Sequence, residues 1–412
     1  MNELAINGGR LVRTSPWPRY PVFGDKEKEA VNEVLDTNWL VAHHNPSGAG
    51  QVEAFEDAFA AWIGTPHAVG LGNGTQALHL ALAAAGVGVN HEVIVPTLTF
   101  MATATAVMMQ NAVPVFADSE PDTLGLDPKS VEARITSRTR AVIPVCLCGY
   151  PMDMDGLMTV ARKHDLVVIE DCSHAHGAVY HSRNIGTIGD MGIFSLQQKK
   201  NLCTGDGGML VTGNPDYAQA VRQMRTFGHN ELSYNYRMTE TAAAIGQVRL
   251  SELDSFNEIR RKNAAIMKTE LEGIHGIRVR EPVQDTVGVY YSLLMEYDPE
   301  ILGDVRNEFV AAVKAEGIPL APSYAPVHRH PNFHPDTSPA RGCPWLWPLY
   351  DAPENEHPSY DDGVCPVAED YADRRLVELK VHPPACEEDM VQAAEAIRKV
   401  VKNMHKLEEQ KV

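Results

Sequence analysis

Short apolar runs and stretches of helical periodicity alternate along the first half of the chain. Residues 25–37 place Ala30, Val31, Val34 and Leu35 on one helical face. HAVGLG (67–72) reads as a strand and leads into a helix over 74–85. The pairing then recurs: strand 91–96 with helix 102–110, strand 112–118 with helix 127–135, strand 141–148 with helix 153–164, then strand LVVIED (166–171). These strands are apolar almost throughout, as parallel strands covered by helices on both faces must be. The pattern predicts an α/β fold with a mostly parallel central sheet.

The rhythm changes near residue 190. MGIFSL (191–196) and GGMLVT (207–212) read as strands, and helices are expected at 215–226, 238–250 and 253–273. Beyond them come strands at 277–281 and 288–297, a helix at 303–316, an irregular proline-rich stretch over 318–358 and a closing helix at 387–404. This divides the chain into a large domain (21–255) and a smaller α+β C-terminal domain (256–412). Residues 1–20 are expected to pack near the smaller domain.

Composition narrows the class. The chain has 412 residues, 44% hydrophobic and 22% charged, the balance of a globular protein. A net charge of -18 repels phosphate backbones, so no nucleic-acid partner is expected. It leaves room for a small anion, which a local nest of backbone N–H groups can hold. Neither a secretory leader nor an apolar run of membrane length stands out, and the protein reads as cytoplasmic. Cys146 and Cys148 alternate within an expected strand and would face one side. With no second CxC or CxxC, the seven cysteines read as reduced buried thiols, and no metal is expected.

Ligands of a parallel sheet bind beyond the carboxyl ends of its strands, so the residues after each strand are the candidates. Gly72, Asn73, Gly74 and Thr75 lead straight into a helix, whose N-terminus suits a phosphate. The segment is neither GxGxxG nor a Walker loop, and a plain glycine-rich turn would read the same. Phe100 follows the second strand, as a stacking ring or as a core side chain. Glu170 and Asp171 end an apolar strand, where a carboxylate needs a partner such as a cationic ring nitrogen, or serves as a cap. His174 and His176 lie just beyond. Lys199 and Lys200 precede a glycine-rich turn, as a surface pair or as a source of a Schiff-base amine. Phosphate cradle, aromatic ring, acid and lysine together are what pyridoxal phosphate needs.

Six ordered motifs carry a family resemblance over nearly the whole chain: GNGTQAL (72–78), VPTLTFMATATAV (95–107), EDCSHAHGA (170–178), IGDMGIFSLQQKKNLCTGDGG (188–208), YNYRMTETAAAIGQ (234–247) and YAPVH (324–328). They resemble the DegT/StrS-like, fold-type-I, pyridoxal-phosphate-dependent sugar and aminocyclitol aminotransferases. AINGG (5–9) and CPVAE (365–369) look most like the branch acting on inosose rings or making 3-amino-5-hydroxybenzoate.

The resemblance implies pyridoxal 5'-phosphate, with pyridoxamine 5'-phosphate as intermediate, and transfer of an amino group from glutamate or glutamine to a keto-sugar or keto-cyclitol. It also implies a homodimer with shared active sites. Lys200, not Lys199, would be the Schiff-base lysine. Asp171 would pair with the pyridine nitrogen. Phe100 and Ser173 would flank the ring, with His174 beside it. Gly74, Thr75 and Ser195 would hold the phosphate, and Asn235 would reach the phosphate of the neighbouring subunit. His328 and Tyr324 are candidate substrate contacts. A sugar dehydratase is the alternative, but such relatives typically carry His where Lys200 stands; a silent cofactor-binding paralogue is another. Three features depart from the pattern: Leu196 where Phe is common, Asp206 in a TGEGG-like turn, and a short segment between Gly228 and Tyr234.

Overall fold

The computed structural model describes residues 3–42, 50–227, 233–334 and 350–404. Its central sheet uses strands β1 (His67–Leu71), β2 (Glu92–Pro96), β3 (Val113–Ala117), β4 (Thr139–Val142), β5 (Val167–Asp171), β6 (Met191–Ser195) and β7 (Gly208–Thr212). Their spatial order is β1-β7-β6-β5-β4-β2-β3. All pairs from β6 to β3 are parallel, while β7 runs antiparallel to both β1 and β6. The expected α/β architecture is therefore present.

Residues along each strand alternate between two cores. Ile169 joins the cluster with Val69, Leu71, Val93 and Val95, while Val168 joins the one with Ala68, Ile94 and Phe194. Helices α1 (Asp25–Asp36), α2 (Gln51–Ile63), α3 (Gly74–Ala84), α4 (Ala102–Met109), α5 (Pro128–Ala133), α6 (Met154–Lys163) and α7 (Pro215–Met224) flank this sheet. The sequence reading passed over α2, although Val52, Phe55, Phe59 and Ile63 bury one helical face of it.

Three expectations change. The strand over 141–148 stops at Val142 because Pro144 has no N–H to give a ladder. The chain then turns, with Cys148 at φ 53°. Cys146 and Cys148 consequently enter different cores rather than facing one side. Cys386 is exposed, unlike the other described thiols. The helices expected at 238–250 and 253–273 are one helix, α8 (Glu240–Leu271). No proline or glycine interrupts its middle, and Leu250, Leu253, Asn257 and Arg260 continue one buried stripe through it. A domain boundary at 255/256 falls inside this helix.

A second, wholly antiparallel sheet follows, built from β8 (Ile277–Val279), β9 (Leu293–Tyr297), β10 (Ala321–Pro322) and β11 (Leu376–Leu379) in the order β8-β9-β11-β10. Helices α9 (Arg306–Ala315) and α10 (Glu387–Val401) share its core. The N-terminal segment is tied to the same region. Glu316 accepts from the backbone N–H of Ala5 at 2.8 Å, and Arg13 pairs with Asp389 at 2.7 Å.

Candidate active site

The ends of β1, β2, β5 and β6 converge on a cavity of about 830 Å³. Each contributes through its last strand residues, such as Asp171 and Ser195, or through those just beyond.

After β1, Asn73 caps α3 by accepting the Gln76 N–H at 2.9 Å. Gly74 and Thr75 open the helix on the cavity wall. A Cβ on Gly74 would lie 2.8 Å from the Ser195 Cβ, and one on Gly208 would lie 2.4 Å from the Asn73 carbonyl. Only glycine lets the three loops meet so closely. The result is a helix N-terminus with Ser195 beside it, a ready anion cradle.

Past β2, Phe100 is 55% exposed and lines the cavity. The core reading of this ring is overturned. Thr103, one turn further on, donates to Asp171 Oδ2 at 2.8 Å, and the Ser173 N–H donates to Oδ1 at 3.1 Å. The Asp171 carboxylate is therefore oriented from both sides while facing the cavity.

Past β6, Lys200 is 8% exposed. Burial pushes its amine down to about 8, with Asp171 opposing the shift and Lys380 adding to it. Its Nζ lies 4.6 Å from the centre of the Tyr291 ring. Tyr20 Oη sits 2.9 Å and 2.8 Å from the carbonyls of Lys200 and Asn201, so the N-terminal segment steadies this turn. Lys199 is exposed at the rim.

His174 stacks on Tyr291 with centroids 4.2 Å apart and planes 3° apart. Its Nδ1 accepts the Cys148 N–H at 3.4 Å, which leaves the ring proton on Nε2, 3.2 Å from the Tyr324 hydroxyl. Burial and the two nearby lysines hold the imidazole neutral.

The residues fit pyridoxal phosphate: a tight glycine cradle for the phosphate, an oriented carboxylate for the ring nitrogen and a buried, partly neutral lysine for the carbonyl carbon. The DegT/DnrJ/EryC1/StrS aminotransferase family matches residues 21–352. The chain belongs to this family. It is a pyridoxal-phosphate-dependent aminotransferase. It is 36% identical to the L-glutamine:2-deoxy-scyllo-inosose aminotransferase of Streptomyces lividus, over 97% of this chain and 98% of that protein. Its fold is similar to that of DesI, solved in the presence of its TDP-sugar product, with a TM-score of 0.83, 28% identity and 99% of both chains covered. It is also similar to 3-amino-5-hydroxybenzoic acid synthase, with a TM-score of 0.80, 26% identity, and 94% of this chain and 98% of that one covered.

Not every expected residue of this aminotransferase reaches the cavity. Asn235, expected at the neighbouring subunit's phosphate and not at this one, is exposed and off this wall. His328 is fully buried elsewhere, 2.8 Å from Thr97 Oγ1 and 3.4 Å from Glu369. Its ligand atom falls within 4.8 Å of those of Asp362 and Glu369, but the Arg329 guanidinium already pairs with both carboxylates. That guanidinium already supplies counter-charge to the two acids. His176 packs on Phe194 behind the cavity, and burial pushes it down to about 3. Tyr324 does line the cavity, as does Asp206, whereas Leu196 is in the core. The short segment after Gly228 falls mostly outside the described residues.

Sequence reasoning missed Thr103, Tyr236, Tyr291 and Glu378, all of which line the cavity. Thr103 sits inside a motif already singled out, one turn from Phe100. Tyr291 and Glu378 come from the antiparallel sheet or its approach, and no local pattern marks them.

Proposed function

We propose that this aminotransferase aminates a keto-cyclitol in the biosynthesis of an aminocyclitol, using glutamine as donor. The observation that carries the reading is the meeting of Lys200 and Asp171 on one cavity with the Gly74–Thr75–Ser195 cradle. The inosose aminotransferase, similar over nearly its full length, supports the substrate class.

When bound, the cofactor supplies a carbonyl carbon for the amino group and a ring that accepts electrons from the donor Cα. Gly74, Thr75 and Ser195 would hold its phosphate, where the helix N-terminus favours negative charge. Asp171 would hold the ring nitrogen in its protonated form. Phe100 and Ser173 would flank the ring, and His174 would meet it as a neutral group. Lys200 Nζ is the amine that would hold the cofactor, and when free it would take the proton from the donor Cα and give it back to the carbon that receives the amino group. A lysine brought down to about 8 has a usable neutral fraction near neutral pH. The presence of Lys200 favours amino transfer over dehydration. In this reading the protein is a cytoplasmic homodimer, and Asn235 reaches the phosphate bound by the partner subunit. Among the described residues no helix is long and apolar enough to cross a membrane.

Borohydride reduction of the holoenzyme followed by peptide mass mapping tests the assignment. A pyridoxyl adduct is expected on Lys200. An adduct on Lys199, or no adduct, overturns it. Amino transfer from glutamine to a panel of keto-cyclitols and nucleotide-linked keto-sugars then tests the acceptor, and exclusive use of the nucleotide-linked class would sink the cyclitol reading.

A further inference from the structure

Glu378 lies on β11, and its side chain lines the cavity. It is half-buried, yet its recorded contacts are long. Lys380 Nζ is 3.7 Å from Oε1, Ser323 Oγ is 3.4 Å from Oε2, and Cys148 Sγ is 3.8 Å from Oε2. An ionised carboxylate accepts up to about four hydrogen bonds. Contacts this long leave most of that capacity for whatever enters the cavity.

Lys380 directs its hydrogen bonds elsewhere than to Glu378 or the cavity. Its ammonium donates to the Tyr291 carbonyl at 3.1 Å and to Ser292 Oγ, and it sits 3.6 Å from the centre of the Tyr291 ring. It is absent from the cavity wall. The ammonium spends its hydrogen bonds on the protein, while the carboxylate lines the cavity.

The position bears on the reacting end. Lys200 and Lys380 lie over the same Tyr291 ring, at 4.6 Å and 3.6 Å. Glu378, 3.7 Å from the Lys380 ammonium, lines the same cavity as the amine that handles the donor Cα.

We infer that Glu378 selects the amino donor by its distal group, favouring an uncharged carboxamide, as in glutamine, over a carboxylate, as in glutamate. The inference rests on the aminotransferase reading above. A carboxamide offers two N–H donors to the unspent oxygens of Glu378. A carboxylate offers none and brings a second negative charge against the first in a half-buried place, where screening is weak. In the second half-reaction the same oxygens can accept ring hydroxyls of a polyol, so the residue is not idle there.

Binding to the holoenzyme tests this without turnover. Glutaramate and glutarate lack the amino group, and they differ in carrying a carboxamide or a carboxylate. The wild type should bind glutaramate about tenfold or more tightly than glutarate, and Glu378→Gln should bring the two within about threefold. The donor half-reaction, followed by cofactor absorbance, should show the same collapse of the glutamine-to-glutamate ratio in kcat/KM, carried by KM rather than kcat. Equal binding of the two analogues by the wild type, or tighter binding of glutarate, overturns the inference whether or not the variant folds. So does an unchanged ratio in a Glu378→Gln enzyme that retains full cofactor. A wild type that prefers glutaramate but transfers no amino group from either amino acid would sink the aminotransferase reading and leave the carboxamide preference standing.

Discussion

Glu170 and Asp171 follow one another on β5, and the strand pleat sends them to opposite faces of the sheet. They are almost equally buried, at 2% and 5% exposure. Glu170 accepts the backbone N–H groups of Gly186, Ile188 and Gly189 at 2.8, 2.7 and 2.7 Å. Its oxygens are spent on holding that loop, and burial raises its pKa despite those bonds. Asp171 takes two orienting bonds from Thr103 and Ser173 and keeps the rest of its capacity for the cavity. Burial alone thus does not distinguish a structural carboxylate from a functional one. Spare acceptor capacity facing a cavity does. Lys199 and Lys200 repeat the contrast, one exposed at the rim and one enclosed against Tyr291.

The contrast can be broken most directly at the lysines. Lys200→Ala should cut amino transfer by about 10³-fold or more, while Lys199→Ala stays close to wild type. Steady-state rates on matched, cofactor-loaded proteins decide it, and equal losses would erase the distinction. The carboxylates come next. Asp171→Asn should lower turnover by about 10²-fold with little change in melting temperature. Glu170→Ala should do the reverse, costing about 2 kcal/mol of stability because buried N–H groups of the 186–189 loop lose their acceptor. A Glu170→Ala enzyme as stable as wild type, with turnover lost instead, would break the comparison.

A pH titration sharpens it. Lys200 must be neutral to react with pyridoxal phosphate. Capture of the cofactor by the apoenzyme should therefore slow as pH falls below about 8, well under the 10.5 of an ordinary lysine. Asp171→Asn should move this midpoint lower still, since the carboxylate opposes the downward shift. Stopped-flow absorbance gives the midpoint, and a value near that of free lysine would contradict the enclosed setting of this amine. The smallest effect is expected at Phe100. Its ring is exposed, so Phe100→Leu should change stability by no more than about 0.5 kcal/mol. It should still weaken cofactor retention several-fold, measured by dialysis, if the ring stacks as proposed.

Much of the site could be read from local sequence because strand ends and helix starts are local events. The apolar run before Asp171, the glycine turn after β1 and the lysine pair after β6 all announce themselves within a few residues. Element boundaries fared less well where a polar stretch was taken for a break. Ser251 and Glu252 sit on the open side of α8 rather than between two helices. The stretch 141–148 looked like one strand because its apolar residues run past Pro144, yet they feed two different cores.

By itself, the sequence determined the α/β alternation, the strand ends that carry Gly74, Phe100, Asp171 and Lys200, and membership of an aminotransferase family. Each of these depends on residues near one another in the chain. Only the tertiary structure decided that Tyr291, Tyr324 and Glu378 close the cavity, that Lys380 donates to the Tyr291 carbonyl, and that His328 pairs with Glu369 away from the site. Those outcomes depend on how the antiparallel sheet packs over the strand ends. Cys148 and Glu378 meet across 230 residues of chain, and no local pattern in either segment encodes the other.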